Sequence, residues 1–141
     1  MKQDFSKKIS IVISNEIPDW KAMNAVGHIA AYFGNKMDAV FDTGESFVAQ
    51  DGVAIPRNSQ YGIVVLQADQ EGLNEWALEM RSVTDVQTMF FVKEMIDTGD
   101  DIELQQMLDV QDFKDIIFYG VGLFGGNEIL RGYTNAFKLW S

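Results

Sequence analysis

The chain has 141 residues, 47% of them apolar, with 21 acidic against 11 basic side chains and a net charge of −10. A chain of that length is most simply one domain, able to bury roughly 68–70% of its unfolded surface. The absence of cysteine excludes disulfides, zinc–thiolate centres and cysteine catalysis, and the acidic balance disfavours a nucleic-acid partner.

The basic cluster Lys2, Lys7 and Lys8 reads as a solubilising flank before a buried strand. No apolar run near it is long enough for a signal core or a membrane span, so a cytoplasmic protein without membrane association is expected. Ile9, Ile11, Val12 and Ile13 predict a buried strand. Asp19 is placed to cap a helix over about residues 20–33. That helix is rich in small residues (Ala22, Ala25, Gly27, Ala30, Ala31) and is expected to lie close to a sheet, well buried. Gly34-Asn35 ends it. In residues 46–55, Phe47, Ala49, Val53 and Ile55 flank Gln50-Asp51-Gly52, a hairpin signal that Pro56 limits.

Residues 61–66 predict another central strand, and Asp69 can cap the following helix. In that helix Leu73, Trp76, Ala77 and Met80 fall at i, i+3, i+4 and i+7, which makes Trp76 a core residue. A third strand covers about residues 86–92 and enters an acidic turn, after which Ile102, Leu104, Met107 and Leu108 suit a short helix. A fourth strand spans residues 116–124. Gly125-Gly126-Asn127 then opens a last helix to about Thr134, and residues 136–140 form an apolar tail. Strands interleaved with helices imply one α/β domain over residues 1–141. The expected architecture is a three-layer α/β/α sandwich around a mixed, mainly parallel sheet of about four strands, with a small β-hairpin.

Several segments together carry a resemblance: Lys8-Ile9-Ser10-Ile11-Val12, Asp19-Trp20 with Asn24, Glu94-Met95 with Thr98-Gly99, and Phe137-Lys138-Leu139. In order and spacing they resemble an uncharacterised bacterial family, domain of unknown function 2000. Its members look like peptidyl-tRNA hydrolase II in fold, which implies an α/β/α sandwich. Against that hydrolase family, His28 falls at its helix histidine and Lys21 at the last lysine of its Gly-Lys-Gly-Lys segment. The other lysine and both glycines are missing. Asp97-Thr98-Gly99 matches its Asp-Ala-Gly-Arg-Thr turn, but Asp100 and Asp101 replace the arginine and threonine. Each unit-charge interaction at ~4 Å is worth about 1 kcal/mol in water and about 4 kcal/mol near a protein surface. The resemblance therefore implies the fold without the hydrolase activity.

The candidate site is the carboxyl edge of the sheet, where ligands of α/β proteins usually sit. Trp20, Lys21, Asn24, Glu94, Asp97 and Asn127 are the candidate ligand contacts. Trp20 either walls a pocket with Asn24 or staples the helix to the sheet. Lys21 is unfavourable to a helix N-terminus, which points to an anionic ligand. Glu94 is a general-base candidate or a surface salt-bridge partner. Asn127 is also the expected cap of the last helix. Asp97, Asp100 and Asp101 are better read as helix-capping and dipole-pairing groups than as metal ligands, and no cofactor or metal is expected. The only histidine, His28, is expected to be buried and hydrogen-bonded. Gly120, Gly122, Gly125 and Gly126 lack the Walker lysine and read as close-approach and turn positions. The reading is a binding protein for a small polar ligand. An ester or amide hydrolase using Lys21 and Asp97, and an oligomer built on Tyr133, Phe137 and Trp140, are the alternatives.

Overall fold

The computed structural model describes residues 4–37 and 44–141, so Lys2 lies outside the described residues. Strand β1 (Asp4–Ser14) leads to helix α1 (Asp19–Lys36), a hairpin of β2 (Phe47–Val48) and β3 (Ala54–Ile55), and strand β4 (Tyr61–Ala68). Helix α2 (Gln70–Met80) and strand β5 (Gln87–Val92) follow, then two short helices, α3 (Glu94–Asp97) and α4 (Asp101–Asp109). A 3-10 turn leads to β6 (Phe118–Gly126), α5 (Asn127–Thr134) and the edge strand β7 (Lys138–Leu139).

The main sheet has the order β5-β6-β1-β4-β7. It is mixed, as expected, but has five strands rather than about four. Only β1 and β4 pair in parallel, while β6 runs antiparallel to β1 and β5, and β7 antiparallel to β4. The expected mainly parallel sheet is thus corrected to one whose pairings are mostly antiparallel. The cause lies in the connections. A parallel neighbour needs a crossover that returns the chain to its starting edge, as α1 and α2 do. After β5, α3 and α4 hold the chain at the carboxyl edge, so β6 starts there and runs back.

The side chains of β1 divide between two cores. Ile9, Ile11 and Ile13 pack with Ala22, Ala25, Ile29 and Phe33 of α1. Val12 packs with Leu73, Trp76, Ala77 and Met80 of α2 and Leu130 of α5. Helices therefore cover both faces, and Trp76 is a core residue. Gly120 and Gly122 provide the seat for α1. A Cβ on Gly122 would collide with Ile29 and Phe33, and one on Gly120 would come within 2.6 Å of Ile13 Cδ1.

Helix α1 is buried on one side only. Ala22, Ala25, Ile29 and Phe33 face the core, whereas Met23, Asn24, Gly27, His28 and Ala31 are exposed. Small residues let the helix approach the sheet, but they continue on its solvent face, so composition overstated its burial. Pro18 occupies its N-cap position without a side-chain bond, and Asp19 is already helical. Two of the other three capping expectations hold: Asp69 accepts from the Gly72 N–H at 2.7 Å, and Asp100 accepts from the Glu103 N–H at 2.8 Å. At α5 the cap position falls on Gly126, and Asn127 is the first helical residue rather than the cap. The β2–β3 hairpin forms where expected, with Gly52 in its turn at φ 83°.

Candidate functional site

The carboxyl edge is aligned by register: Ser14 pairs with Ala68, Ile13 with Gly120, and Val92 with Phe118. The chain turns helical at Lys93 (φ −51°, ψ −43°), which takes Lys93 and Glu94 out of the face-to-face alternation of a strand. The Lys93 ammonium reaches the Asp97 carboxylate at 3.1 Å, one helical turn on. The hydrogen bond to Asp97 holds the Lys93 pKa above its ordinary value. Glu94 is not the surface ion-pair partner expected as one alternative: it is 5% exposed. Its Oε1 accepts from the Gln111 amide at 3.1 Å, while Oε2 is buried without a hydrogen-bond partner. Gln111 is a site residue that sequence reasoning missed, since nothing in the spacing signals that the end of α4 folds back over α3.

At the start of α1, Trp20 is 57% exposed and so does not staple the helix to the sheet. The Lys21 ammonium lies 5.5 Å from the Trp20 ring and 5.5 Å from that of Tyr119. Tyr119, near the start of β6, is thus a further edge residue not singled out by sequence. Asn24 is exposed and lines a shallow depression with Gly27 and His28.

A more enclosed recess of about 250 Å³ separates α1 from the acidic bend. Met89, Phe91, Met95 and Leu104 form its apolar part, and His28, Thr98, Gly99, Asp100 and Asp101 its polar part. His28 is exposed rather than buried, and its ring stacks on Phe91 with centroids 5.3 Å apart and planes 27° apart. α1 and the aspartate-bearing bend therefore do border one cavity. They meet there through His28, not through the helix's leading turn: Trp20, Lys21, Glu94 and Asp97 do not line it. Asn127 is not part of this edge at all. It follows Gly126, which pairs with Lys7 near the other end of β1, roughly 23 Å from Ser14 at about 3.3 Å per strand residue.

The acids of the bend are partly committed. Asp100 caps α4 and Asp97 pairs with Lys93. Among the described residues no group of three or more His, Asp or Glu side chains is placed to hold a metal ion, and no helix is long and apolar enough to cross a membrane. The aromatic C-terminal end packs back onto its own molecule. Phe137 meets Trp76 edge-on with centroids 5.0 Å apart, and the Tyr133 hydroxyl donates to Asp85 at 2.8 Å.

Fold and recess together define a small α/β protein with helices on both faces of a mixed sheet and a cavity beside its edge strand β5. Residues 7–141 match the family described as "Protein of unknown function (DUF2000)", and the chain belongs to that family. A protein of unknown function from Agrobacterium tumefaciens strain C58, Atu0240, has the same fold. The two superpose with a TM-score of 0.80 at 23% identity, over 98% of this chain and 100% of that one. No curated protein matches the chain.

Proposed function

We propose that the protein binds a small polar ligand at the carboxyl edge of the sheet, in the recess between α1 and residues 98–101. The observation that carries this reading is the convergence of the single imidazole, His28, with Thr98 and Asp101 over a floor of Met89, Phe91 and Met95. Polar groups converging beside an apolar floor are the usual form of a small-molecule site, and at about 250 Å³ the recess suits only a small ligand. Asp101, not occupied in capping, offers acceptors to donor groups of the ligand. Lys21 and Asn24, on the neighbouring surface of α1, would meet anionic or amide groups extending out of the recess.

A hydrolase using Lys21 and Asp97 draws less support, because Asp97 is engaged by Lys93 and Lys21 lies over aromatic rings. The α/β/α layering supports a likeness to the peptidyl-tRNA hydrolase II fold. Asp100 and Asp101, in place of that family's arginine and threonine, speak against its activity. A cytoplasmic location is our reading from the cysteine-free, acidic composition.

Thermal-shift measurement against a panel of polar metabolites tests the proposal. A ligand at ~100 times its Kd stabilises by about 2.7 kcal/mol, a rise in Tm on the order of 8 °C for a chain of this size. The rise should be lost in His28→Ala and Asp101→Asn. Silence across the whole panel, or a shift untouched by both substitutions, would remove the site.

A further inference from the structure

Helix α1 packs on β6, β1 and β5, seated over Gly120 and Gly122. Among the described residues α1 makes its sheet contacts with β6, β1 and β5, to one side of β4 and β7. There the Trp140 N–H donates to the Val65 carbonyl at 3.0 Å, which sets the indole beside Val65. A hollow of about 520 Å³ lies between this pair and the flank of α1. Its walls are hydrocarbon, thioether and indole: Ile13, Ala22, Met23, Val26, Val65 and Trp140. Its only ionised lining group is Asp19, which is exposed and has no ion pair or side-chain hydrogen bond among the described residues. Asp19, Ala22, Met23 and Val26 stand at i, i+3, i+4 and i+7, so one stripe of α1 ends an apolar wall in a free carboxylate.

We propose that this hollow binds a ligand with an apolar body of aromatic size and an ammonium head, the head facing Asp19 and the body lying against Val26, Val65 and Trp140. Charge complementarity selects the ligand class. Among the described residues Asp19 is the one charge beside the apolar walls, so a cation facing it is favoured over an anion. The net charge of −10 adds to that field and repels anions. The indole face is itself a favourable neighbour for a cation. The volume falls within the roughly 300–1,000 Å³ of small-molecule sites. This hollow and the His28 recess flank α1 on opposite sides, over β4–β7 and over β5, so each can be tested without the other.

The experiment titrates the full chain with 4-phenylbutylammonium, 4-phenylbutanol and 4-phenylbutyrate, followed by ¹⁵N–¹H NMR. The Trp140 indole N–H is assigned with Trp140→Phe. The amine should bind at least tenfold more tightly than the carboxylate, shifting the Trp140 indole and the Val26 and Val65 amides while leaving His28 unmoved. Asp19→Asn should lower the amine to the affinity of the alcohol. Asp19→Lys should reverse the order, so that the carboxylate binds best. Thermal melts check that both variants fold. The proposal is overturned if no probe moves the Trp140 indole at millimolar concentration, or if the three bind alike. It also fails if their order ignores both Asp19 substitutions. A sedimentation result showing a dimer that closes this face to all three probes would assign the hollow to a second copy instead.

Discussion

Two glycines of β6 set how near α1 can come to the sheet, and Gly122 is the tighter of them, since its Cβ would enter the space of Ile29 and Phe33. Overpacking a filled core typically costs about 1–3 kcal/mol. Gly122→Ala should lose that much stability in urea unfolding, while Gly99→Ala, with nothing within 4 Å of its Cβ, should stay within about 0.5 kcal/mol of the parent. Glu94 poses the opposite problem, a buried carboxylate with one oxygen satisfied by Gln111 and the other by nothing. Stripping a partner from a buried polar group costs about 1–3 kcal/mol. Gln111→Ala should therefore destabilise within that range, measured by the shift of the urea midpoint at neutral pH. A Gln111→Ala protein as stable as the parent would show that water serves Glu94 equally well.

Among the elements, α4 depends most visibly on one side chain. It has no fully buried residue, so the cap at Asp100 is a visible part of what holds its first turn. Asp100→Ala removes the bond to the Glu103 N–H and should cost about 1 kcal/mol, with faster amide exchange in the first turn of α4. Capping was legible in sequence for Asp69 and Asp100 because each precedes its helix by one position and reaches an N–H three residues on. At Asp19 and Asn127 the same residue types fall one position too late, inside the helix. Helix α1 teaches a related point. Its small residues did signal close packing on the sheet, but they could not say which side faced solvent, and so His28 emerged at a recess instead of in the core.

At the scale of the molecule, two hydrogen-bonded pairs contribute to the response to alkaline pH. Tyr133 has its pKa raised above the ordinary 10.0 by its hydrogen bond to Asp85, which ties α5 to the segment before β5. Lys93 is raised above 10.5 by its bond to Asp97. Both shifts are upward. Each therefore contributes stability that is fully present below the ordinary value and lost as pH rises through the raised one. Stability should be level in these two contributions through neutral pH and fall above about pH 10. Tyr133→Phe should remove the tyrosine part of that fall, read from urea midpoints between pH 8 and 11.

The alternation of the longer strands and helices, the hairpin at Gly52 and the core role of Trp76 were readable from the chain, because periodicity, turn residues and caps act over a few positions. The short elements α3 and β7 were not, and DUF2000 membership was legible only as a resemblance of segments in order and spacing. Strand direction and the composition of the site were not readable either. Whether β6 runs with or against β1 depends on where α3 and α4 leave the chain. Likewise Asn127, Trp20 and His28 owe their places to which edge or flank their elements occupy. Those are contacts between residues far apart in sequence, settled only when α1 seats on Gly120 and Gly122 and the sheet closes around β1.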